Sequence, residues 1–322
     1  MSTHPTPPPA SPAPAAPASE LRPAPSSVGG ILRQIGPGLI IAAAIVGSGE
    51  LIVTPKLGAS AGFTLLWFII LGCVLKVFIQ IELGRVTLSR GLTTLETMNL
   101  VPGPRVRVSW LLWLWAVMFA ATVFQIAGMV GAVASVLALA GVNVSVKLLA
   151  IGIGIGTAVI LVLGRYKLIE TASTWMVVAF TACTMVAVVA LQFTPYAVTS
   201  ANLAEGFSFN LPPSFTVAFA AFGIIGVGAS ELIYYPYWCL EKGYARHVGR
   251  PDGSAAWDER ARGWMRVLRA DAWVSCAVYT SATLAFYILG AAILHAKKLD
   301  VTNADMIPTL AHMYQETFGA WS

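Results

Sequence analysis

Two glutamates, Glu50 and Glu231, interrupt apolar stretches of the chain within the same short sequence pattern. Residues 47–55 read GSGELIVTP and residues 228–236 read GASELIYYP, which match at the Gly, Glu, Leu, Ile and Pro positions. A carboxylate in the middle of a membrane is costly, and ionisable residues there usually carry function. Two converging carboxylates repel each other unless a cation lies between them or one is protonated. The repeated pattern therefore predicts a cation site, a proton-carrying site, or both.

The composition predicts an all-α polytopic membrane protein. Of the 322 residues, 57% are hydrophobic and only 11% are charged, whereas soluble domains carry about 25% charged residues. The mean hydropathy is +0.74. Seven apolar segments are long enough to cross a bilayer, at 35–54, 63–84, 110–140, 147–164, 171–193, 215–238 and 271–295.

The basic residues predict the orientation of these spans. Fifteen of the 20 Lys and Arg residues fall in the N-terminal tail and in the alternate loops that share its side. By the positive-inside rule, that side is the cytoplasm. We therefore expect a multi-pass protein of the cell inner or plasma membrane with a cytoplasmic N-terminus. Of the other five, Lys56, Lys147, Lys297 and Lys298 lie in the opposite loops, and Lys76 lies inside the second apolar segment.

The chain divides into a tail and a membrane domain. Residues 1–32 are rich in Pro, Ala and Ser, which predicts a disordered cytoplasmic tail. Residues 33–322 form the predicted transporter domain, with a first repeat over about 35–193 and the start of a second over about 215–322. Because seven spans is an odd number, we expect the domain to be incomplete at its C-terminus.

The two glutamate patterns run in opposite directions across the membrane, because segment 1 enters from the inside and segment 6 from the outside. Paired interruptions in an inverted repeat indicate the binding site of a secondary transporter. Gly47 and Gly49 weaken the first helix, and Pro55 and Pro236 each remove a backbone donor one turn beyond the glutamate. The pattern predicts unwound helices whose freed backbone groups bind a cation or polar substrate.

Several stretches resemble the Nramp family of divalent-metal transporters. They are GPGLIIAAAIVGSGE at 36–50, GASAGFTLLWFIILG at 58–72, GAVAS at 131–135 and AFGIIGVGASELIYYPYW at 221–238. The resemblance implies a LeuT-like fold, in which two inverted five-helix repeats place broken first and sixth helices around the ion.

The departures from that family fall on its ion-binding motifs. GSGE at 47–50 stands where the family has Asp-Pro-Gly-Asn, and SEL at 230–232 stands where it has Met-Pro-His. Gln125 falls where the third helix of the family has a proton-pathway Asp. Losing the thioether and the imidazole leaves oxygen ligands, which suit Mg²⁺ or Mn²⁺ better than Fe²⁺. Proton coupling would then depend on Glu50 or Glu231.

The resulting prediction is a secondary transporter that moves a divalent metal by alternating access. The predicted metal ligands are Glu50 and Glu231, and further contributions are expected from Ser230, Ser48 and the backbone near Gly47 and Val227. Lys76 and Gln125 are candidate coupling or charge partners, although either could instead have a purely structural role. Asp271, at the mouth of segment 7, is expected to be solvated.

The predicted partners are few. They are the lipid bilayer and the divalent cation, with H⁺ as a possible coupling ion. We expect no cofactor, no nucleic acid and no known protein partner.

Three alternatives remain open at this stage. The same fold could carry a small organic cation or amino acid, with Tyr234, Tyr235, Tyr237 and Trp238 supplying cation–π contacts. The paired glutamates could form the acid/base dyad of a membrane-embedded enzyme, although no enzyme motif accompanies them. A non-transporting sensor derived from a transporter would also fit the altered ligand set. We favour a transporter and not an enzyme.

Overall fold

A computed structural model describes residues 20–48, 50–163, 166–210, 219, 222–223, 225–299 and 306–319. The α-helices of these ranges are α1 (Val28–Leu32), α2 (Pro37–Ser48), α3 (Glu50–Ala61), α4 (Leu66–Arg90), α5 (Thr94–Asn99), α6 (Trp110–Leu139), α7 (Val146–Leu163), α8 (Tyr166–Leu191), α9 (Ser200–Gly206), α10 (Ala229–Lys242), α11 (Tyr244–Val248), α12 (Ala255–Leu289) and α13 (Met306–Phe318). A π-helix at Gly290–His295 continues α12, and β1 (Arg105–Val106) pairs with β2 (Val108–Ser109) in a short antiparallel ladder.

Five of the described helical stretches are long and apolar enough to cross a membrane. They are α4, α6, α7, α8 and the continuous stretch of α12 with the π-helix. The first four overlap predicted segments 2 to 5, whereas α12 begins at Ala255, well before the predicted start of segment 7 at residue 271, so much of the loop predicted between segments 6 and 7 is helical. Segment 1 consists of the shorter helices α2 and α3. This architecture confirms the all-α polytopic class.

Helix α12 is the centre of the described core and packs against α2, α3, α4 and α8. Its side chains Tyr279, Phe286 and Tyr287 are completely buried. Two glycines set the closest approach of α3 to the π-helix. A Cβ atom at Gly58 would overlap the Tyr287 carbonyl, and one at Gly290 would overlap the backbone of Pro55. Small residues of this kind let membrane helices approach closely enough for van der Waals packing.

Helices α6 and α7 pack against each other, and almost none of either helix is buried within the described structure. Their exposed surface is apolar, with Phe124 and Val162 among the most exposed side chains. An apolar exterior is what a helix needs where lipid is the solvent.

The end of the predicted tail contacts the helical domain. The Trp264 indole donates a hydrogen bond to the Arg22 carbonyl at 2.9 Å, and the Arg22 amide donates to the His247 carbonyl at 3.1 Å. Ser27 caps α1 by accepting a hydrogen bond from the Gly30 amide. Residues 20–32 therefore lie on the membrane domain, while residues 1–19 are outside the described part of the chain.

Candidate ion site

Four of the eight predicted site residues line a cavity of about 200 Å³ between the start of α3, the start of α10 and the middle of α6; Gly47, Ser48, Val227 and Lys76 are not among the lining residues that the structure describes. Its walls include the side chains of Glu50, Glu231, Ser230, Gln125, Thr122 and Met118. The two glutamates, 181 positions apart in sequence, thus face one space. Sequence reasoning identified four of these six side chains and missed Thr122 and Met118.

The chain is not helical just before α10. Residues 222–223 are helical, residues 225–228 are not, and α10 begins after Gly228. Gly226 has a φ of +67°, which favours glycine, and a Cβ atom there would lie 2.8 Å from the Cys73 sulfur. This interruption agrees with the broken sixth helix that the sequence predicts.

The first segment differs from its prediction. Gly47 and Ser48 belong to the last turn of α2, so their backbone is helical and not unwound. Residue 49 and the side chain of Ser48 lie outside the described part of the structure, so the predicted hydroxyl ligand there is untested. Pro55 lies within α3 and Pro236 within α10, so neither proline ends its helix, although each removes the backbone donor for the carbonyl four residues earlier.

Glu50 is almost completely buried, with 1% of its surface exposed. Its Oε1 accepts a hydrogen bond from the Gly226 amide at 2.5 Å, and its Oε2 accepts one from the Thr54 hydroxyl. Thr54 lies one turn further along α3 and was not identified from the sequence. Glu50 therefore joins the first segment to the interruption in the sixth.

Glu231 has a more open environment. It is partly exposed and lies in the first turn of α10, where the positive end of the helix dipole favours a carboxylate. Its Oε2 accepts a hydrogen bond from the Ser230 hydroxyl at 2.8 Å. Val227, whose carbonyl we predicted as a ligand, is completely buried between the cavity-lining Gly226 and Gly228.

Lys76 reaches the same interruption from α4. It is 6% exposed, and its ammonium donates hydrogen bonds to the carbonyls of Phe222 and, at 2.6 Å, Ile225. The nitrogen also lies 5.0 Å from the centre of the Phe222 ring.

Asp271 is buried, so the expectation of a solvated side chain was wrong. It is 1% exposed, and its two oxygens accept hydrogen bonds from the amides of Gly36, at 2.8 Å, and Gly38, at 2.7 Å. The Tyr235 hydroxyl donates a third bond at 3.0 Å. The carboxylate is buried because the N-terminus of α2 supplies unpaired amides that need an acceptor. Tyr235, proposed for cation–π contacts, is used here instead.

Oxygen atoms dominate the chemistry that the cavity offers. No group of three or more His, Cys, Asp or Glu side chains that could hold a metal occurs in the part of the chain that the structure describes. A cation bound here would therefore need hydroxyl, amide or carbonyl oxygens, or retained water, besides the two carboxylates. Met118 is the one thioether on the described wall.

Comparison with known families decides the class of the protein. A family model described as natural resistance-associated macrophage protein-like, or Nramp, matches residues 38–322. The chain belongs to the Nramp family. Nramp proteins are integral membrane transporters of divalent metal ions and not enzymes, so the membrane and transport predictions are confirmed at this level. No curated protein shows significant similarity to the chain.

Proposed function

We propose that this Nramp protein moves a hard divalent cation, Mg²⁺ or Mn²⁺ in preference to Fe²⁺, through the cavity between Glu50 and Glu231. The observation that carries the proposal is that both carboxylates line one cavity. The hydroxyls of Ser230 and Thr122 and the amide of Gln125 add hard donors beside them. Mg²⁺ commonly keeps several waters and binds through one or two carboxylates, which this wall can supply.

The two carboxylates have different roles in this proposal. Both oxygens of Glu50 already accept hydrogen bonds, so Glu50 fixes the geometry and contributes its charge. Among the described residues, Glu231 accepts a hydrogen bond from the Ser230 hydroxyl alone, and it is the principal ligand in the cavity. Either carboxylate would carry the proton if transport is coupled to H⁺.

Alternating access would proceed by rocking one bundle against another. The first bundle consists of α2, α3, α4, α10 and α12, and the second consists of α6, α7 and α8. The cavity wall combines α3 and α10 from the first with α6 from the second, so such a motion would open and close it. We also propose that the N-terminus is cytoplasmic, which access of a membrane-impermeant reagent to a cysteine introduced at Ser27 would test.

The size of the cavity argues against a large organic substrate. Pockets for drug-sized molecules have volumes of about 300–1,000 Å³, whereas this cavity has a volume of about 200 Å³. A partly hydrated metal ion fits that space.

Met118 favours one alternative, a softer transition metal, because thioether sulfur prefers such ions. The Met118→Leu variant separates the two preferences. If the substrate is a hard ion, uptake of Mg²⁺ and Mn²⁺ stays at the level of the parent. A selective loss of Fe²⁺ or Cd²⁺ uptake would instead make the sulfur a ligand.

The decisive experiment is metal uptake into liposomes by the full-length protein, with Mg²⁺, Mn²⁺ and Fe²⁺ compared at equal activity. Glu50→Gln and Glu231→Gln should each abolish uptake of the hard ions. Glu82→Gln is the matched control, because Glu82 is an exposed carboxylate on α4 paired with Arg85 at 2.7 Å. Uptake that persists in both site variants would refute the proposed site, and exclusive Fe²⁺ uptake would refute the proposed preference.

A further inference from the structure

The interruption at residues 225–228 exposes carbonyl groups that an intact helix would use internally. In a membrane such groups need partners, because lipid supplies none and each unsatisfied group costs several kcal/mol. In many transporters, unwound carbonyls of this kind coordinate a free monovalent cation. The partner of these carbonyls in the present chain is therefore informative.

Lys76 occupies the position that a free cation would take. Its ammonium bonds the carbonyls of Phe222 and Ile225, which flank the start of the interruption, and faces the Phe222 ring. Two carbonyl oxygens and an aromatic face are the partners that a small monovalent cation selects. Glu50 binds the Gly226 amide from the other side. The positive side chain thus holds carbonyls while the negative one holds an amide.

An ordinary salt bridge does not account for this geometry. The ion pairs within 4.0 Å among the described residues do not include Lys76. Its direct polar contacts are backbone carbonyl oxygens. Lys76 is buried because it binds those carbonyls, since its long aliphatic side chain could otherwise extend toward an interface.

We propose that the carbonyls of Phe222 and Ile225 form a binding site for a small monovalent cation, and that the Lys76 ammonium fills this site permanently as a tethered ion. The interruption then needs no free Na⁺ or K⁺ to keep its shape. The tethered charge also reduces the fixed charge around the cavity, since two carboxylates and one ammonium sum to −1. An entering divalent ion is thus held less tightly and released more readily than by the two carboxylates alone.

This inference goes beyond the transported ion and can be tested without any transport assay. The Lys76→Ala variant of the full-length protein removes the side chain beyond Cβ, and n-propylammonium reproduces the atoms removed. Thermal unfolding is followed while n-propylammonium or Na⁺ chloride replaces choline chloride at constant ionic strength. Choline is too large for the vacated space. Because this assay does not measure transport, a parent protein that takes up no metal would contradict the proposed function and leave the test of the tethered ion unaffected.

The expected result is a lowered midpoint in choline that n-propylammonium raises saturably, with Na⁺ acting in the same direction. The parent should not respond. Lys242→Ala is the matched control, because it removes an ammonium paired with Glu170 and away from the interruption. An equal response of Lys242→Ala, or an equal effect of choline, would overturn the proposal.

Two further measurements keep the test decisive. If Lys76→Ala does not fold in choline, the yield of folded protein across the same cation series becomes the readout, and a yield independent of the cation counts against the site. Lys76→Met restores the volume without the charge. A midpoint for Lys76→Met equal to that of the parent would show that Lys76 acts by packing and would refute the tethered ion.

Discussion

The Gly226 amide donates a 2.5 Å hydrogen bond to Glu50 Oε1 across 176 residues of sequence. This bond attaches the start of α3 to the non-helical residues before α10. Glu50 of the first pattern is thus bonded to the backbone two residues before the second pattern begins. Glu50 accepts two hydrogen bonds, whereas among the described residues Glu231 accepts one, so Glu231 presents the carboxylate with more spare acceptor capacity to the cavity.

The first prediction follows from this asymmetry. Glu50→Gln replaces one acceptor oxygen by a donor, so either Thr54 or Gly226 loses its partner, and a buried unsatisfied donor costs about 1–3 kcal/mol. We expect Glu50→Gln to lower the free energy of unfolding by about that amount. Glu231→Gln keeps an acceptor for Ser230 and should stay within about 0.5 kcal/mol of the parent. Denaturant unfolding in detergent measures both, and equal losses would contradict the division of roles.

The second prediction concerns the backbone at Gly226. Gly226→Ala forces a side chain into a left-handed conformation, at about 1–2 kcal/mol, and against the Cys73 sulfur. We expect a loss of at least that size in unfolding free energy and a weaker metal affinity. Adding Cys73→Ala should restore only the part of the unfolding free energy that is lost to the clash with the sulfur.

Gly223→Ala is the control for that variant, because a Cβ atom at Gly223 would meet nothing within 4 Å among the described atoms. Gly223→Ala should change the free energy of unfolding by no more than about 0.5 kcal/mol. A Gly226→Ala protein as stable as Gly223→Ala would show that the interruption tolerates side chains, and the role given to Gly226 would be wrong.

The sequence predicted the two carboxylates because a charge in an apolar segment is visible without any knowledge of packing. Glu50 and Glu231 were recognisable for that reason, whereas Ser230 was a candidate because it lies beside Glu231 and Gln125 because it is polar and matches a position of the family's third helix; all four line the same cavity. The difference between the glutamates was not predictable, since it depends on contacts with Gly226 and Thr54 that arise only when the helices pack.

The burial of Asp271 also could not be predicted from the sequence. A carboxylate at the start of an apolar segment has the sequence signature of a solvated loop residue. Its burial depends on the amides of Gly36 and Gly38, more than 230 residues away. Met118 was overlooked because methionine in a membrane helix resembles any other apolar residue. Hydropathy therefore located the spans and the charges, but it could not identify partners between helices.

The third prediction tests the anchor at Asp271. Asp271→Asn leaves one oxygen for the amides of Gly36 and Gly38, so a buried donor loses its acceptor, at about 1–3 kcal/mol. Tyr235→Phe removes only the third hydrogen bond and should cost about 0.5–1.5 kcal/mol. Unfolding of the two variants in the same detergent gives the comparison. If Tyr235→Phe were the more damaging, the amides of α2 would not be the principal partners.

The fourth prediction uses the ion pair between Lys297 and Glu316, which joins the chain after the π-helix to α13 at 2.7 Å. The hydrogen bond from Lys297 holds the pKa of Glu316 below its ordinary value, and the same bond raises the pKa of Lys297. A Glu whose pKa is lowered in the folded state stabilises the fold above about pH 4.3, and that stabilisation is lost as the pH falls through the folded-state pKa. A Lys whose pKa is raised in the folded state stabilises the fold below about pH 10.4, and that stabilisation is lost as the pH rises through the folded-state pKa.

The contribution of this pair should therefore be constant across neutral pH and decline at both extremes. The measurement is the difference in unfolding free energy between the parent and Glu316→Gln as a function of pH. The difference should shrink in acid as Glu316 becomes protonated in the parent. A Lys297→Gln background removes the principal partner, and the pH dependence should become much smaller in it, while His312 remains 3.6 Å from Glu316. A difference that persists unchanged in strong acid would show that Glu316 acts without its charge.

The fifth prediction concerns Gln80, one turn from Lys76 on α4. Gln80 is completely buried, yet neither its amide nitrogen nor its amide oxygen has a hydrogen-bond partner among the described residues. An unpartnered buried amide is costly, so replacing it with an apolar side chain of similar length should not destabilise the protein. We expect Gln80→Met to raise the free energy of unfolding by up to about 1–3 kcal/mol. Gln125→Met, at the cavity wall, should leave stability nearly unchanged because Gln125 is exposed there. A clear loss of stability in Gln80→Met would show that the amide has a partner in the membrane, most simply a buried water bonded to both of its polar atoms.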